Sequence, residues 1–318
     1  MPAVVETMFY VNEVPWHGLG KKLTHAPTVE EAITAADLDW EVGLKDLQTV
    51  DGIAVPNKAT YRKTDGRILG VVGPRYRPLQ NRVAFNWFQP FLDSGEVCLH
   101  TGGSLHTGEK VWVLAEIQKG PSEIVKGDEV AKFVLLSNSH NGTTAIRVGF
   151  TPIRVVCANT LSMAHNSDAS ELIRIRHTKS AEFNLEKVRE VMNLVNQQFE
   201  ATAEQYRQLA TKSICDKDVQ KYVHIMLGVN GKDEDDIPTR TKNTRESILK
   251  RIHSGAQMLA GVRGTWWGAY NGYTEHLNYE HGRNRDNRMD KLWFNPENQS
   301  RKALTTALEL SGVAAEGN

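Results

Sequence analysis

The stretch EVAKFVLLSNSHNGTTAIRVGFTPIRVV, residues 129–156, contains two runs of strand-forming side chains separated by a polar turn. His140, Asn141 and Gly142 form that turn, because Asn-Gly readily adopts the backbone conformation that joins neighbouring antiparallel strands. Two earlier runs, EVCLHTGGSL and EKVWVLAEI, precede this stretch at hairpin spacing. The four runs together predict an antiparallel meander of about four strands.

The chain before the meander carries signals for one hairpin and two helical stretches. ATYRKTDGRILGVVG places Asp65-Gly66 between two runs of strand formers, which predicts a tight turn. Thr28 followed by Glu31 matches a capping box and predicts a helix over residues 29–36. In NRVAFNWFQPFLDSG the apolar side chains recur at helical spacing and predict a buried stripe of Val83, Phe85, Trp87, Phe88, Phe91 and Leu92.

The stretch GFTPIRVVCANTLSMA, residues 149–164, begins as a strand and is predicted to continue directly as the helix CANTLSMAHNS, with Asn159 and Thr160 capping its start. Cys157, at the change of structure, has two interpretations. Its valine, alanine and leucine neighbours are typical of a packed core thiol. A helix N-terminus would instead lower its pKa, and the thiolate would act as a nucleophile with His140 or His165 as the base.

Helical spacing dominates the chain after about residue 180. AEFNLEKVREVMNLVNQQFEATAEQYRQLAT predicts one long helix with a buried face of Val188, Val191, Met192, Val195, Phe199 and Tyr206. Three more helices are predicted in CDKDVQKYVHIMLG, TRESILKRIHSGAQM and SRKALTTALELSG. The predicted fold class is therefore α+β, with an antiparallel β-meander and packed helices in residues 1–180 and a mainly helical region in residues 181–318.

The composition predicts a soluble intracellular protein. Basic and acidic residues number 38 each, so only local clustering can indicate a polyanionic partner. Three cysteines, Cys98, Cys157 and Cys215, are too few for a disulfide framework and fit a reducing compartment. The start MPAVVETMFYVNEVPW lacks the features of a signal peptide, and no apolar run approaches the roughly 18 residues of a membrane span.

The sequence predicts neither a metal nor a cofactor, and it assigns no catalytic residue. Cys98, His100, His106 and His140 are zinc-ligand types, but no pair has the C-x-x-C or H-x-x-x-H spacing of zinc sites. HTGGSLHTGEK is rich in glycine, yet it leads into the strand run VWVLAEI, whereas a phosphate-binding loop opens a helix. A turn between two strands is the prediction for this segment.

Three basic clusters are present in a chain without net charge. Tyr61 and Tyr76 are interleaved with the first, which is opposed only by Asp65. Cations and aromatic rings in alternation suit a single nucleic-acid strand, because the cations follow the phosphates and the rings stack on bases. A solvated surface with ordinary ion pairs is the alternative. The clusters are Arg62, Lys63, Arg67, Arg75, Arg77 and Arg82; Arg147, Arg154, Arg174, Arg176 and Lys179; and Arg240, Lys242, Arg245, Lys250 and Arg251.

The late segment GTWWGAYNGYTEHL carries several aromatic side chains at helical spacing, among them Trp266, Trp267 and Tyr270. Two interpretations are open for these side chains and for Tyr76. They form a dock between the two regions or an interface between subunits, or they form a stacking platform for bases.

VPWHGLG, the central block SNSHNGTTAIRVGFTPIRVVCANTL and GTWWGAYNGYTEHL occur in this order along the chain. In these motifs the sequence resembles the phage/plasmid-like proteins that carry the domain of unknown function 932. The resemblance covers nearly the whole chain. It implies a gene on a phage, prophage or plasmid and a protein in the cytoplasm of the bacterial host.

The order of a helix, an antiparallel meander and a helix returning onto the sheet resembles the core of the single-strand annealing recombinases. This resemblance implies a homo-oligomer that holds single-stranded DNA in a basic groove during recombination or replication and performs no chemical step. The residues expected to contact the DNA backbone are Arg62, Lys63, Arg75, Arg77, Arg147 and Arg154. The alternative is a host-directed factor that binds another protein through its aromatic C-terminal segment.

Overall fold

A computed structural model gives the structure of residues 5–11, 19–118, 120–154, 159–160, 172–177, 199–255, 258–259, 261–280 and 299–313. The backbone alone is described for residues 150–154, 159–160 and 172–174. The strands are β1 Val5–Val11, β2 Lys21–Leu23, β3 Val42–Gln48, β4 Ala54–Arg62, β5 Ile68–Val72, β6 Val97–Leu105, β7 Lys110–Ile117, β8 Ser122–Val125, β9 Asp128–Ser139, β10 Ile146–Arg154, β11 Asn159–Thr160 and β12 Leu172–Ile175.

Most of the helices follow the strands along the chain. They are α1 Val29–Ala35, α2 Asn81–Asn86, α3 Gln89–Asp93, α4 with described residues 199–211, α5 Asp216–Leu227, α6 Thr239–Ser254, α7 Trp266–Tyr279 and α8 Gln299–Ser311. Strands thus dominate the N-terminal part and helices the C-terminal part, which confirms the predicted α+β class. Among the described residues, no helix combines the length and apolar character needed to cross a bilayer.

The predicted meander forms the centre of a large sheet. Its strand order is β11-β10-β9-β7-β6-β1-β2, with β12 also paired to β10 and β8 to β9. The four predicted runs are β6, β7, β9 and β10, and each pairs antiparallel with the next. Gly142 in the turn before β10 has a φ of 75°, the left-handed conformation expected of Asn-Gly.

Strand β1 was not predicted, although it occupies an inner position of the sheet. It pairs antiparallel with β6 and parallel with β2. Gly103 of β6 explains how it fits, because a Cβ atom at this position would collide with the backbone oxygen of Thr7. The glycines of HTGGSL therefore serve strand packing, and the following residues His106 and Thr107 form a strongly bent turn with positive φ.

The N-terminal region adds a second, three-stranded sheet of order β3-β4-β5. The predicted Asp65-Gly66 turn connects β4 and β5, and Gly66 has a φ of 74°. Helix α1 has the predicted capping box, with Thr28 and Glu31 bonded reciprocally. These local signals are confirmed because each depends on residues that are close in sequence.

The predicted stripe between residues 81 and 93 is only partly correct. Phe85, Phe88 and Phe91 are buried, but Val83 is 39% exposed. The segment forms two short helices, α2 and α3, and Pro90 lies in the first turn of α3. Val83 falls on the solvent side of α2, because it lies about 200° around the helix from the buried Phe85.

The predicted helix CANTLSMAHNS, with Asn159 and Thr160 capping its start, is wrong at these two residues. They form β11, which pairs antiparallel with Ile153 and Arg154 of β10. Pairing to the edge of β10 satisfies backbone groups that a helix cap would have satisfied locally. The rest of the predicted helix, together with Cys157 and His165, lies outside the described residues.

The larger of the two described core clusters joins the large sheet to helices from both parts of the chain. It extends from Phe9 through the sheet to Val313 beyond α8. The indole of Trp267 on α7 donates to Asp128 Oδ2 at 2.8 Å, which ties the helical region to β9. Residues 199–211 confirm the end of the predicted long helix, and the boundary predicted at residue 180 lies outside the described residues.

The revised helix phase predicts unequal effects of two truncations. Phe85→Ala should reduce the free energy of unfolding by about 3–5 kcal/mol, because it leaves a cavity in the core. Val83→Ala should change it by less than about 0.5 kcal/mol, because the side chain is solvated. Urea denaturation followed by circular dichroism measures both values, and equal losses would contradict the assigned phase.

Candidate nucleic-acid interface

Residues 73–80 form an irregular segment between β5 and α2 that presents two arginines to solvent. Arg75 and Arg77 are exposed, whereas Tyr76 between them is largely buried. The Tyr76 hydroxyl donates to the backbone oxygen of Ser139 at 2.8 Å, and its ring stacks on His177 with centroids 4.5 Å apart. Tyr76 therefore anchors the segment to the large sheet and holds the flanking arginines outward.

A third arginine reaches the same surface from a distant part of the chain. The backbone N–H of Arg77 donates to the backbone oxygen of His177 at 2.9 Å, so the two segments lie side by side. Arg176 immediately precedes His177 and is exposed. No described carboxylate forms an ion pair with any of these arginines. We call Arg75, Arg77 and Arg176 the arginine surface.

Arg62, predicted to contact DNA, is instead part of the interior. Only 8% of the residue is exposed, and its guanidinium donates to both carboxylate oxygens of Glu6, at 2.7 and 2.9 Å. It also donates to the backbone oxygen of Thr107 and lies 4.4 Å from the ring centroid of Trp40. The structure thus places Arg62 at the contact between the two sheets, where a phosphate has no access to it.

The other basic side chains of the first cluster are exposed but paired. Lys63 donates to Glu41 at 2.5 Å, and this hydrogen bond raises the pKa of the lysine. Arg82 pairs with both Glu30 and Asp39. Each cation is accompanied by at least one carboxylate, so its attraction for a phosphate is largely offset.

The second predicted cluster places fewer described cations at the surface than expected. Arg147 is half-buried on β10, and Arg174 of β12 is its register partner. The backbone of Arg154 pairs with Val130, and its side chain lies outside the described structure. Neither residue therefore supplies an exposed cation that the structure describes.

The third cluster is partly neutralised by neighbouring acids, since Lys242, Arg245 and Arg251 are paired, whereas Arg240 and Lys250 are exposed without a described carboxylate partner. Arg245 binds Glu234 in the acidic turn Glu234–Asp236, with a shortest distance of 2.5 Å. Arg251 pairs with Glu275 and with Glu280, and its hydrogen bond lowers the pKa of Glu280 to about 2. These pairs correspond to the alternative interpretation of ordinary ion pairs.

The aromatic residues of the late segment are core residues and do not form a stacking platform. Trp266, Trp267 and Tyr270 on α7 are almost completely buried, and burial raises the pKa of Tyr270. Gly272 allows α6 to approach α7 closely, because a Cβ atom there would lie 2.6 Å from Cγ1 of Ile252. The segment docks the helical region onto the sheet, one of the two roles considered for it.

A buried polar network lies beneath the arginine surface. The Asn81 amide donates to the backbone oxygens of Leu38 and Trp40, so its own oxygen accepts a hydrogen bond from Nε2 of His140 at 3.0 Å. This assigns the proton of His140 to Nε2. Burial, with smaller effects of His177 and Arg62, lowers the pKa of His140 to about 3.

Two free cysteines among the described residues and the candidate metal ligands complete the description of the predicted reactive groups. Burial raises the pKa of the Cys98 thiol to about 11, which opposes thiolate formation. Cys215 donates to Asp218 at 3.1 Å. In the described part of the chain, no three His, Cys, Asp or Glu side chains are grouped as a metal site would require.

The fold and this surface belong to a defined family. Residues 68–304 match the family described as a domain of unknown function (DUF932), and the chain belongs to it. The match begins at β5 and includes Arg75, Arg77 and Arg176. No curated protein and no solved structure matches the chain.

Burial of His140 predicts a specific dependence of stability on pH. The imidazole is neutral in the folded protein but takes up a proton near pH 6.5 when unfolded, so its contribution is full above that pH and is lost as the pH falls. The stability advantage of wild type over His140→Gln should shrink below pH 6.5, by up to about 1.4 kcal/mol per pH unit. Urea denaturation between pH 7.5 and pH 5 measures it, and a constant difference would contradict the assignment.

Proposed function

We propose that the protein binds single-stranded DNA through the arginine surface and holds the strand for pairing with a complement. The proposal extends the resemblance to annealing recombinases, and binding involves no chemical step. In this view the protein is encoded by a phage or plasmid, acts in the bacterial cytoplasm during recombination or replication, and works as a homo-oligomer.

The observation that carries the proposal is the difference between cations with a described carboxylate partner and exposed cations without one. Arg75, Arg77 and Arg176 are exposed without a described carboxylate partner, whereas Arg62, Lys63, Arg67 and Arg82 all have one. A free guanidinium offers a planar set of donors that matches phosphate oxygens. The surface is therefore suited to a polyanion although the chain has no net charge.

The shape of the surface favours a single strand over a duplex. Proteins that read a duplex commonly place a helix or a two-stranded ribbon in a groove. Here the arginines lie on two non-helical segments beside the end of a sheet. Such contacts follow a backbone without reading base edges, and several copies on one strand would multiply a weak affinity.

The alternative of a host-directed protein-binding factor rested on the aromatic C-terminal segment. Because Trp266, Trp267 and Tyr270 are core residues, those side chains are not available to a partner.

The arginine surface predicts a measurable salt dependence. Each phosphate contact with a single strand contributes about −0.7 to the slope of log affinity against log salt, so Arg75→Ala with Arg77→Ala should flatten the slope by about 1.4. The loss of affinity should be similar for oligonucleotides of unrelated sequence. Fluorescence anisotropy at several salt concentrations measures both effects.

The matched control is Arg82→Ala with Arg245→Ala, which removes the same charge from paired sites. This variant should keep the slope of wild type, and circular dichroism should show that both variants are folded. Equal effects of the two variants would point to net charge as the cause. Absence of binding by wild type at low salt would reject the proposed function.

A further inference from the structure

The outward face of the three-stranded sheet is unusually apolar for a solvent-exposed surface. Ile68 and Val71 on β5 are 54% and 57% exposed. They lie on one face of the sheet, because the register shift in β5 sets Ile68 opposite Tyr61 and Val71 opposite Ala59. Two exposed aliphatic side chains side by side on a sheet face indicate a contact surface.

An aromatic ring lies on the same face. Tyr61 is the register partner of Gly43 on one side and of Ile68 on the other. A Cβ atom at Gly43 would lie 2.5 Å from Cε1 of Tyr61, so the missing side chain lets the ring lie over the backbone of β3. The ring is half-buried by this contact and is held beside the exposed side chain of Ile68.

We infer that Tyr61, Ile68 and Val71 form a platform for the bases of the single strand whose phosphates bind the arginine surface. The inference rests on the proposed function and adds the site of base contact. Val71 and Arg75 are four residues apart, a span of at most about 14 Å in an extended chain. One strand can therefore contact the base platform and the arginine surface together.

The cation beside the Tyr61 ring, Lys45, also favours an anionic partner that carries aromatic groups. The Lys45 ammonium lies 4.1 Å from the centroid of the Tyr61 ring, and it is exposed. A cation over an exposed ring changes an equilibrium by about two- to fivefold, whereas a base stacked on a ring contributes about 5- to 150-fold. A base is thus able to displace the ammonium, which remains close enough to meet a phosphate.

The test compares three proteins on two oligonucleotides. Tyr61→Ala should bind an oligothymidylate about 5- to 150-fold more weakly than wild type, and Tyr61→Phe, which keeps the ring, should stay within about twofold. On an abasic strand of equal length, wild type and Tyr61→Ala should bind equally weakly. The salt slope should be the same in all three proteins, because no phosphate contact is lost.

The outcomes separate this inference from the proposed function. If wild type binds the oligothymidylate and Tyr61→Ala binds it equally well, the base platform is wrong and the proposed function stands. If wild type binds no single strand at low salt, both fail. An Ile68→Ser, Val71→Ser variant that keeps its DNA affinity but loses self-association in sedimentation would assign the face to a second copy and overturn the platform.

Discussion

The buried ion pair between Arg62 and Glu6 is the contact on which the arrangement of the two sheets depends. It joins β4 of the small sheet to β1 of the large one, and the turn at Thr107 accepts a further hydrogen bond. Gly108 is required beside it, because any Cβ atom there would collide with the guanidinium. Removing one partner of such a pair costs about 3–5 kcal/mol, because the other charge is left buried.

The position of the arginine surface follows from that contact. With β4 held in place, β5 passes close to the turn after β9, where Gly70 lies against Asn141. The chain then continues into residues 73–80, and Tyr76 fixes this segment through Ser139 and the ring of His177. The buried Arg62 thus positions the exposed arginine surface, which we propose binds DNA. The positions of the carboxylates distinguish the buried, paired Arg62 from the exposed Arg75, Arg77 and Arg176.

The sequence predicted the parts of the fold that depend on local order. The meander and the Asp65-Gly66 turn were correct, because alternation and turn residues act over a few positions. Strand β1 was missed because its pairing is distant: Thr101 donates to the backbone oxygen of Phe9, 92 positions away. The helix start at Asn159 was wrong for a similar reason, since the edge of β10 binds this segment.

The candidate site was predictable only in part. Arg75 and Arg77 were identified from clustering, but the same reasoning selected Arg62, whose partner Glu6 lies 56 positions away. Arg176 was noted in the second cluster and was not chosen. The alternation Arg75-Tyr76-Arg77 was an available signal, because an aromatic ring between two cations favours burial of the ring and exposure of the cations. It would have placed Tyr76 inside and the arginines outside.

Arginine footprinting shows directly whether the arginine surface contacts DNA. The protein is treated with an arginine-specific dicarbonyl reagent with and without a single-stranded oligonucleotide, and modification is read for each peptide by mass spectrometry. The account predicts that Arg75, Arg77 and Arg176 react rapidly in the free protein and are protected by the oligonucleotide, while Arg62 reacts slowly in both samples. Protection confined to the cluster from Arg240 to Arg251, or no protection of the arginine surface, would contradict it.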